Sequence, residues 1–260
     1  MNTEQDDIRQ GAARVLSSIR ETRPLVLSLT NSVVQPITAN MLLAVGAAPV
    51  MLCDAEEAAE LLGAGCSALL LNVGTLSRAQ EPAMRSAARA AREHGVPWVL
   101  DPVAAGLLRY RTDFCAELLG LHPTLIRGNA SEILAMAGEG NAGRGTDSTA
   151  GSADAVPAAQ KLARKFGAAV LVTGEVDYAT DGETVEAVHG GHPLMTRVTG
   201  VGCAMGALSA ACLACAETPL QAAVATACIL GDAGAAAAAR APHPGSFAVA
   251  LLDVLDSLWK

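Results

Sequence analysis

The stretch Val198-Thr199-Gly200-Val201-Gly202-Cys203 runs straight into a long alanine-rich segment. A helix start presents amide N–H groups without intrahelical acceptors and the positive end of the helix dipole, so glycines just before it suit a phosphate or a developing anion. The same Gly200-x-Gly202 pair would also let the chain simply turn into a packed helix. No Gly-Lys-Ser/Thr occurs, so a Walker-type loop is excluded. Cys203 falls on the first turn of the expected helix, where the dipole would lower its thiol pKa and make it a base or nucleophile. Cysteine is equally an ordinary small packing residue.

Asp101, in Leu100-Asp101-Pro102-Val103, ends an expected strand, and Glu132 opens an expected helix after Arg127-Gly128-Asn129-Ala130-Ser131. Both fall at the carboxyl ends of strands, where open α/β sheets place ligands. Two carboxylates there could hold Mg²⁺ through waters, because that ion sheds its hydration shell reluctantly; the plainer reading is a turn former and a helix-start charge. Arg127 stands at the same edge and could clamp phosphates, while Thr173, in Val172-Thr173-Gly174, offers a hydroxyl. The five histidines lack metal-ligand spacing, Cys212 and Cys215 form a lone Cys-x-x-Cys with no second pair, and none of these is assigned chemistry.

The elements that must position these residues follow from apolar patterning. Strands are expected at Pro24–Leu29, Pro49–Leu52, Ala68–Val73, Pro97–Leu100, Thr124–Ile126 and Ala169–Val172, several of them apolar on both faces as central parallel strands are. Longer helical segments alternate with them. Capping-box spacings, Asp54 with Glu57 and Ser77 with Gln80, place helix starts near both. Tyr178–Thr180 and Thr184–Val188 flank Asp181-Gly182 and predict a hairpin with a tight turn. Gly202–Arg240 reads as helix with a break near Thr218-Pro219, and Gly138–Ser152 as a mobile loop.

The 260 residues suit one α/β domain, 1–260. Hydrophobic residues make up 51% but aromatics only 3%, so the core is aliphatic, which favours helices on a parallel sheet. With a formal net charge of -8 and only three lysines, the chain shows no basic surface for nucleic acid or an anionic membrane, and a small-molecule partner is expected. Seven scattered cysteines read as reduced thiols of a cytoplasmic protein, and the mixed-charge start to Arg23 as an amphipathic helix rather than a signal peptide.

Taken in order from about Pro24 to Leu258, the segments resemble the hydroxyethylthiazole kinase family: Leu29-Thr30-Asn31, Thr38-Ala39-Asn40, the run Leu42 to Met51, Leu71-Asn72-Val73-Gly74-Thr75-Leu76, Asp101-Pro102-Val103, Arg127 to Ile133, Gly145-Thr146-Asp147-Ser148, Val172 to Tyr178, and His192 to Gly200. The resemblance implies an α/β ribokinase-like fold, a mostly parallel sheet with helices on both faces. It also implies ATP- and Mg²⁺-dependent phosphorylation of 5-(2-hydroxyethyl)-4-methylthiazole for thiamine, by a homotrimer with active sites between subunits. Met51, Gly200 and Asn31 would then contact the thiazole, and Arg127 and Thr173 would contact ATP. Asp101 and Glu132 would support Mg²⁺ through waters, and Gly200, Val201, Gly202 and Cys203 would form the anion hole. Cys203 would be the catalytic residue, where related kinases place an aspartate. Two positions depart from the family pattern: Val201 replaces a threonine, and Ala104 a glycine. The competing readings are a kinase for hydroxymethylpyrimidine, an ADP-forming nicotinamide-nucleotide repair dehydratase, and a binding protein without turnover.

Overall fold

The computed structural model describes residues 3–139 and 151–260. The expected loop Gly138–Ser152 and the motif Gly145 to Ser148 fall largely or wholly outside them. In chain order the elements are α1 Thr3–Thr22, β1 Leu25–Leu29, α2 Gln35–Val45, β2 Ala48–Val50, α3 Ala55–Gly63, β3 Ala68–Asn72, α4 Glu81–Glu93, β4 Trp98–Asp101, α5 Arg109–Leu119, β5 Leu125–Asn129, α6 Ala130–Met136, α7 Val156–Phe166, β6 Ala169–Thr173, β7 Val176–Thr180, β8 Val185–His189, α8 Val201–Cys215, α9 Pro219–Arg240 and α10 Pro244–Ser257. Among the described residues the strands form one eight-stranded sheet in the order β2-β1-β3-β4-β5-β6-β7-β8, parallel from β2 to β6 and antiparallel from β6 to β8.

The sheet is buried on both faces, which is why its parallel strands read as continuous apolar runs. In β3, Leu70 enters the core under α1, α2, α8, α9 and α10, while Leu69 and Leu71 enter the opposite core with α3, α4, α5 and α7. This is the two-residue alternation of a strand. Helix α8 crosses the sheet centre at close range: a Cβ on Gly206 would lie 3.0 Å from Leu70 Cδ1 and 3.3 Å from Asp101 Oδ2. Its alanines and glycines are what allow that approach. Helix α9 is long and apolar enough to cross a membrane by length and composition, yet 72% of that window is buried inside the fold. It is a core helix here, packed on α1, α8 and α10.

Three local expectations need correction. Ser77 does not start a helix; its N–H and hydroxyl both donate to Gln80 Oε1, closing a turn, and α4 begins at Glu81 with Pro82 in its first turn. The β7–β8 connection is four residues, one more than the expected strand bounds leave, because Asp181 Oδ1 accepts the N–H groups of Glu183 and Thr184 and draws Thr184 into the turn as well. Strands β5 and β6 also extend further than their apolar runs, so that Arg127-Gly128-Asn129 and Thr173 pair within the sheet rather than following it, while Asp101 ends β4 as expected. The Asp54 cap holds as expected, accepting from Glu56 and Glu57, and α8 and α9 meet at Thr218, which caps α9.

Candidate functional site

The carboxyl ends of five adjacent strands carry a cluster of polar residues beyond largely apolar parallel strands. Asn31 follows β1, Asn72 ends β3, Asp101 ends β4, Arg127 lies near the end of β5 and Thr173 ends β6. Register brings them together: Asn72 pairs with Asp101 across β3 and β4, and Asn129 with Thr173 across β5 and β6. The start of α8 covers the same edge.

Asp101 is fully buried. Its Oδ2 accepts Asn72 Nδ2 at 2.7 Å and lies 3.6 Å from Arg127 Nη1, while Oδ1 has no partner among the described residues. Burial pushes its carboxyl up to about 7, with Glu132 adding to the rise, and Arg127 and Asn72 opposing it. Arg127 donates through Nη2 to Thr173 Oγ1 at 3.1 Å, and its buried Nε is unpartnered among the described residues. Asp177 lies near this cation; its Oδ1 accepts Gly174 N–H, and burial pushes its carboxyl up to about 6 against the hydrogen bond and the arginine.

Glu132 is engaged on both oxygens, Oε2 by Asn129 N–H and Oε1 by Ala104 N–H, each at 2.9 Å. The first bond and the reciprocal bond from Glu132 N–H to the Asn129 side chain make a capping box for α6. The second fastens the 102–108 loop, in which Ala104 adopts φ 62°. A left-handed alanine stands at the position where the family pattern has glycine, and the Glu132 contact helps hold it there.

At the start of α8 the two glycines have different reasons to be there. Gly200 has φ 94°, and a Cβ there would lie 2.7 Å from Ile37 Cγ2 and 3.0 Å from Val34 Cγ1, so glycine is required by conformation and packing. Gly202 is helical and exposed; a Cβ there would meet nothing nearer than Arg127 Nη2 at 3.5 Å. Nothing in the fold demands glycine at 202, and what it provides is the absence of a methyl group that would stand in van der Waals contact with the guanidinium. The first helical bond is Ala204 N–H to Gly200 O, so the amides of Val201, Gly202 and Cys203 precede the helix's own acceptors. The Val201 side chain is 2% exposed and packs within the core, away from the exposed face of the helix start.

The Cys203 sulfur accepts Asn31 Nδ2 at 3.4 Å. Its thiol pKa is raised, not lowered as the helix start alone implies, because the side chain is largely buried and the Asp101 charge is near; Asn72, Arg127 and Asn31 pull the other way. Among the described residues no group of three or more His, Cys, Asp or Glu could hold a metal directly. The unpartnered Asp101 Oδ1, with Glu132 beside it, fits an ion that keeps most of its waters, as Mg²⁺ does. Met51 follows β2 at the sheet edge, and Gly200 packs on Val34 and Ile37.

Residues 16–260 match the hydroxyethylthiazole kinase family. A hydroxyethylthiazole kinase from Akkermansia muciniphila is 58% identical over 252 residues, 97% of this chain and 93% of that protein. The chain belongs to the hydroxyethylthiazole kinase family. The solved structure of a hydroxyethylthiazole kinase protein from Pyrococcus horikoshii OT3 superimposes with a TM-score of 0.86 at 38% identity, covering 98% of this chain and 94% of that one. A pyridoxal kinase from Bacillus subtilis, solved as an ADP complex, gives a TM-score of 0.60 at 19% identity over 80% of this chain and 90% of that one, a likeness of fold alone. The α/β ribokinase-like fold expected from the motifs is therefore the fold observed. The structure also adds Asn72, which no sequence argument had singled out within its motif. The available signal was one amide at the end of a strand whose other residues are all apolar.

Proposed function

We propose that this protein transfers the γ-phosphoryl group of ATP to the primary alcohol of 5-(2-hydroxyethyl)-4-methylthiazole, giving the monophosphate used for thiamine. The observation that carries the site assignment is the start of α8, where the Val201, Gly202 and Cys203 amides precede the helix's own acceptors and the exposed Gly202 lies within van der Waals reach of Arg127, with Cys203 and Asp101 beside it. Phosphoryl transfer depends mainly on positioning and charge stabilisation, because its transition state is loose. The amides of Val201, Gly202 and Cys203 would receive the charge on the transferring group, with Arg127 opposite and Thr173 holding Arg127 in place. The Cys203 sulfur would accept the alcohol proton. Asp101 and Glu132 would hold Mg²⁺ through waters, and that ion would neutralise phosphate charge.

Gly200, Asn31 and Met51 would contact the thiazole, with Met51 supplied by a second copy in a trimer. Val33 and Leu43, 61% and 58% exposed beside the α2 residues that pack on Gly200, support that reading as apolar surface a neighbouring subunit would cover. The partners in this account are small molecules, and the reaction is placed in the cytoplasm.

The test is the rate of ADP release with Mg²⁺ and a panel of vitamin-precursor alcohols. The thiazole alcohol should have the highest kcat/KM; turnover confined to hydroxymethylpyrimidine or pyridoxal would overturn the assignment.

A further inference from the structure

We infer that Asn72 is a positioning residue for phosphoryl transfer, whose carboxamide sets the orientation of Asn31 and thereby aims an Asn31 N–H at the Cys203 sulfur. The inference rests on the reading of Cys203 as the proton acceptor. Asn72 is fully buried at the end of β3, and a buried amide left unbonded is costly, so its hydrogen bonds decide its orientation. The Asp101 carboxylate accepts, so the Asn72 nitrogen faces it, at 2.7 Å. The oxygen must then face the other way, where it accepts Gly74 N–H at 3.0 Å and Asn31 Nδ2 at 2.9 Å.

Asn31 is fixed in turn. Its oxygen accepts Val33 N–H at 3.1 Å, so its nitrogen faces Asn72 and Cys203, with one hydrogen for each. The sulfur is thereby an acceptor in the network, and its own S–H, or the lone pair that replaces it, is left for the substrate alcohol. An asparagine that merely closed a turn would need only the Gly74 bond. The other two bonds of Asn72 run to Asp101 and to Asn31, and Asn72 itself also lies beside the Cys203 thiol. Gly74 is part of the same fit, because a Cβ there would lie 2.5 Å from Asn31 Nδ2.

Kinetics of a mutant cycle, with melting curves to verify folding, test this. Asn72→Leu keeps the approximate shape and removes the amide. Its kcat should fall by about ten-fold or more, but no further than that of Cys203→Ala, for which roughly 10² is expected, since misaiming a base cannot cost more than losing it. The KM for ATP should stay within about two-fold, that for the thiazole alcohol should rise because Asn31 would contact it, and the kcat of the double variant should be no lower than that of Cys203→Ala alone. Gly74→Ala displaces Asn31 while leaving the Asn72 to Asp101 bond, and its kcat loss should likewise vanish in the Cys203→Ala background. It decides the matter if Asn72→Leu does not fold. A loss of the same factor with and without Cys203, a change in KM alone, or a folded variant with undiminished kcat would overturn the inference. A wild-type enzyme inactive toward the thiazole alcohol would instead overturn the proposed function.

Discussion

Replacing Gly200 and Gly202 by alanine, one at a time, should shift stability in opposite directions although the residues are two apart. At Gly200, φ 94° places any Cβ in the left-handed region, which costs about 1–2 kcal/mol. The same Cβ would press on Ile37 at 2.7 Å and Val34 at 3.0 Å, and overpacking of that kind costs about 1–3 kcal/mol. The sum is roughly 2–5 kcal/mol, which for a chain of this length lowers Tm on the order of 10 °C. At Gly202 the residue is helical, its nearest contact would be an ordinary 3.5 Å, and alanine is the better helix former by up to about 1 kcal/mol. Gly202→Ala should therefore melt at the same temperature as the wild type or a few degrees higher. Its kcat/KM should nevertheless fall at least about ten-fold, because the new methyl stands between the α8 amides and Arg127, and even one lost oxyanion donor costs about 10²–10³. Thermal melts of the ligand-free proteins and steady-state rates with ATP read both effects. If Gly200→Ala melts like the wild type, the packing argument is wrong; if Gly202→Ala keeps full activity, the phosphoryl group does not occupy this space.

Cys203→Ala should leave a slow kinase, reduced by roughly 10² in kcat with little change in KM, and Cys203→Asp should retain activity; loss of all turnover in both, with a phosphocysteine trapped in the wild type, would show covalent catalysis instead. The Asp101 carboxyl sits at about 7 in the metal-free fold against 3.8 when unperturbed, so the folded state keeps a proton that the unfolded chain releases. This contribution to stability is full below about pH 4 and is lost as pH rises toward 7. With chelator present, the Tm of Asp101→Asn minus that of the wild type should therefore increase from pH 5 to pH 8, and a flat difference would contradict the cause given. Light scattering should find a trimer at assay concentrations, and a fully active monomer would remove Met51 from the site of a neighbouring subunit.

The parallel core was readable because burial on both faces leaves strands such as Ala68–Asn72 almost wholly apolar, and no long-range information is needed to see it. The helix cap at Asp54 and the break near Thr218-Pro219 were readable for the same reason, their chemistry being local. What escaped depends on neighbours distant in sequence. The sign of the Cys203 shift follows from burial and from Asp101, about a hundred residues away, which outweigh the helix start. Gly200 and Gly202 look alike in the chain and separate only when Val34, Ile37 and Arg127 are placed around them. Asn72 has no motif chemistry of its own; its role is defined by Asn31 and Asp101 on the two flanking sides of β3. The Asp181 turn is a local failure, since a side chain competing for the backbone N–H groups lengthened by one residue the loop that the strand pattern around Asp-Gly implied.

The central claim, phosphoryl transfer to the thiazole alcohol at the α8 edge, is tested most directly by mass spectrometry of a reaction containing the purified protein, ATP, Mg²⁺ and equal amounts of the thiazole alcohol and hydroxymethylpyrimidine. The account predicts the thiazole monophosphate, formed with one ADP per product molecule and without phosphorylated pyrimidine. ADP released without phosphorylated thiazole, or phosphate found on the pyrimidine instead, would contradict it.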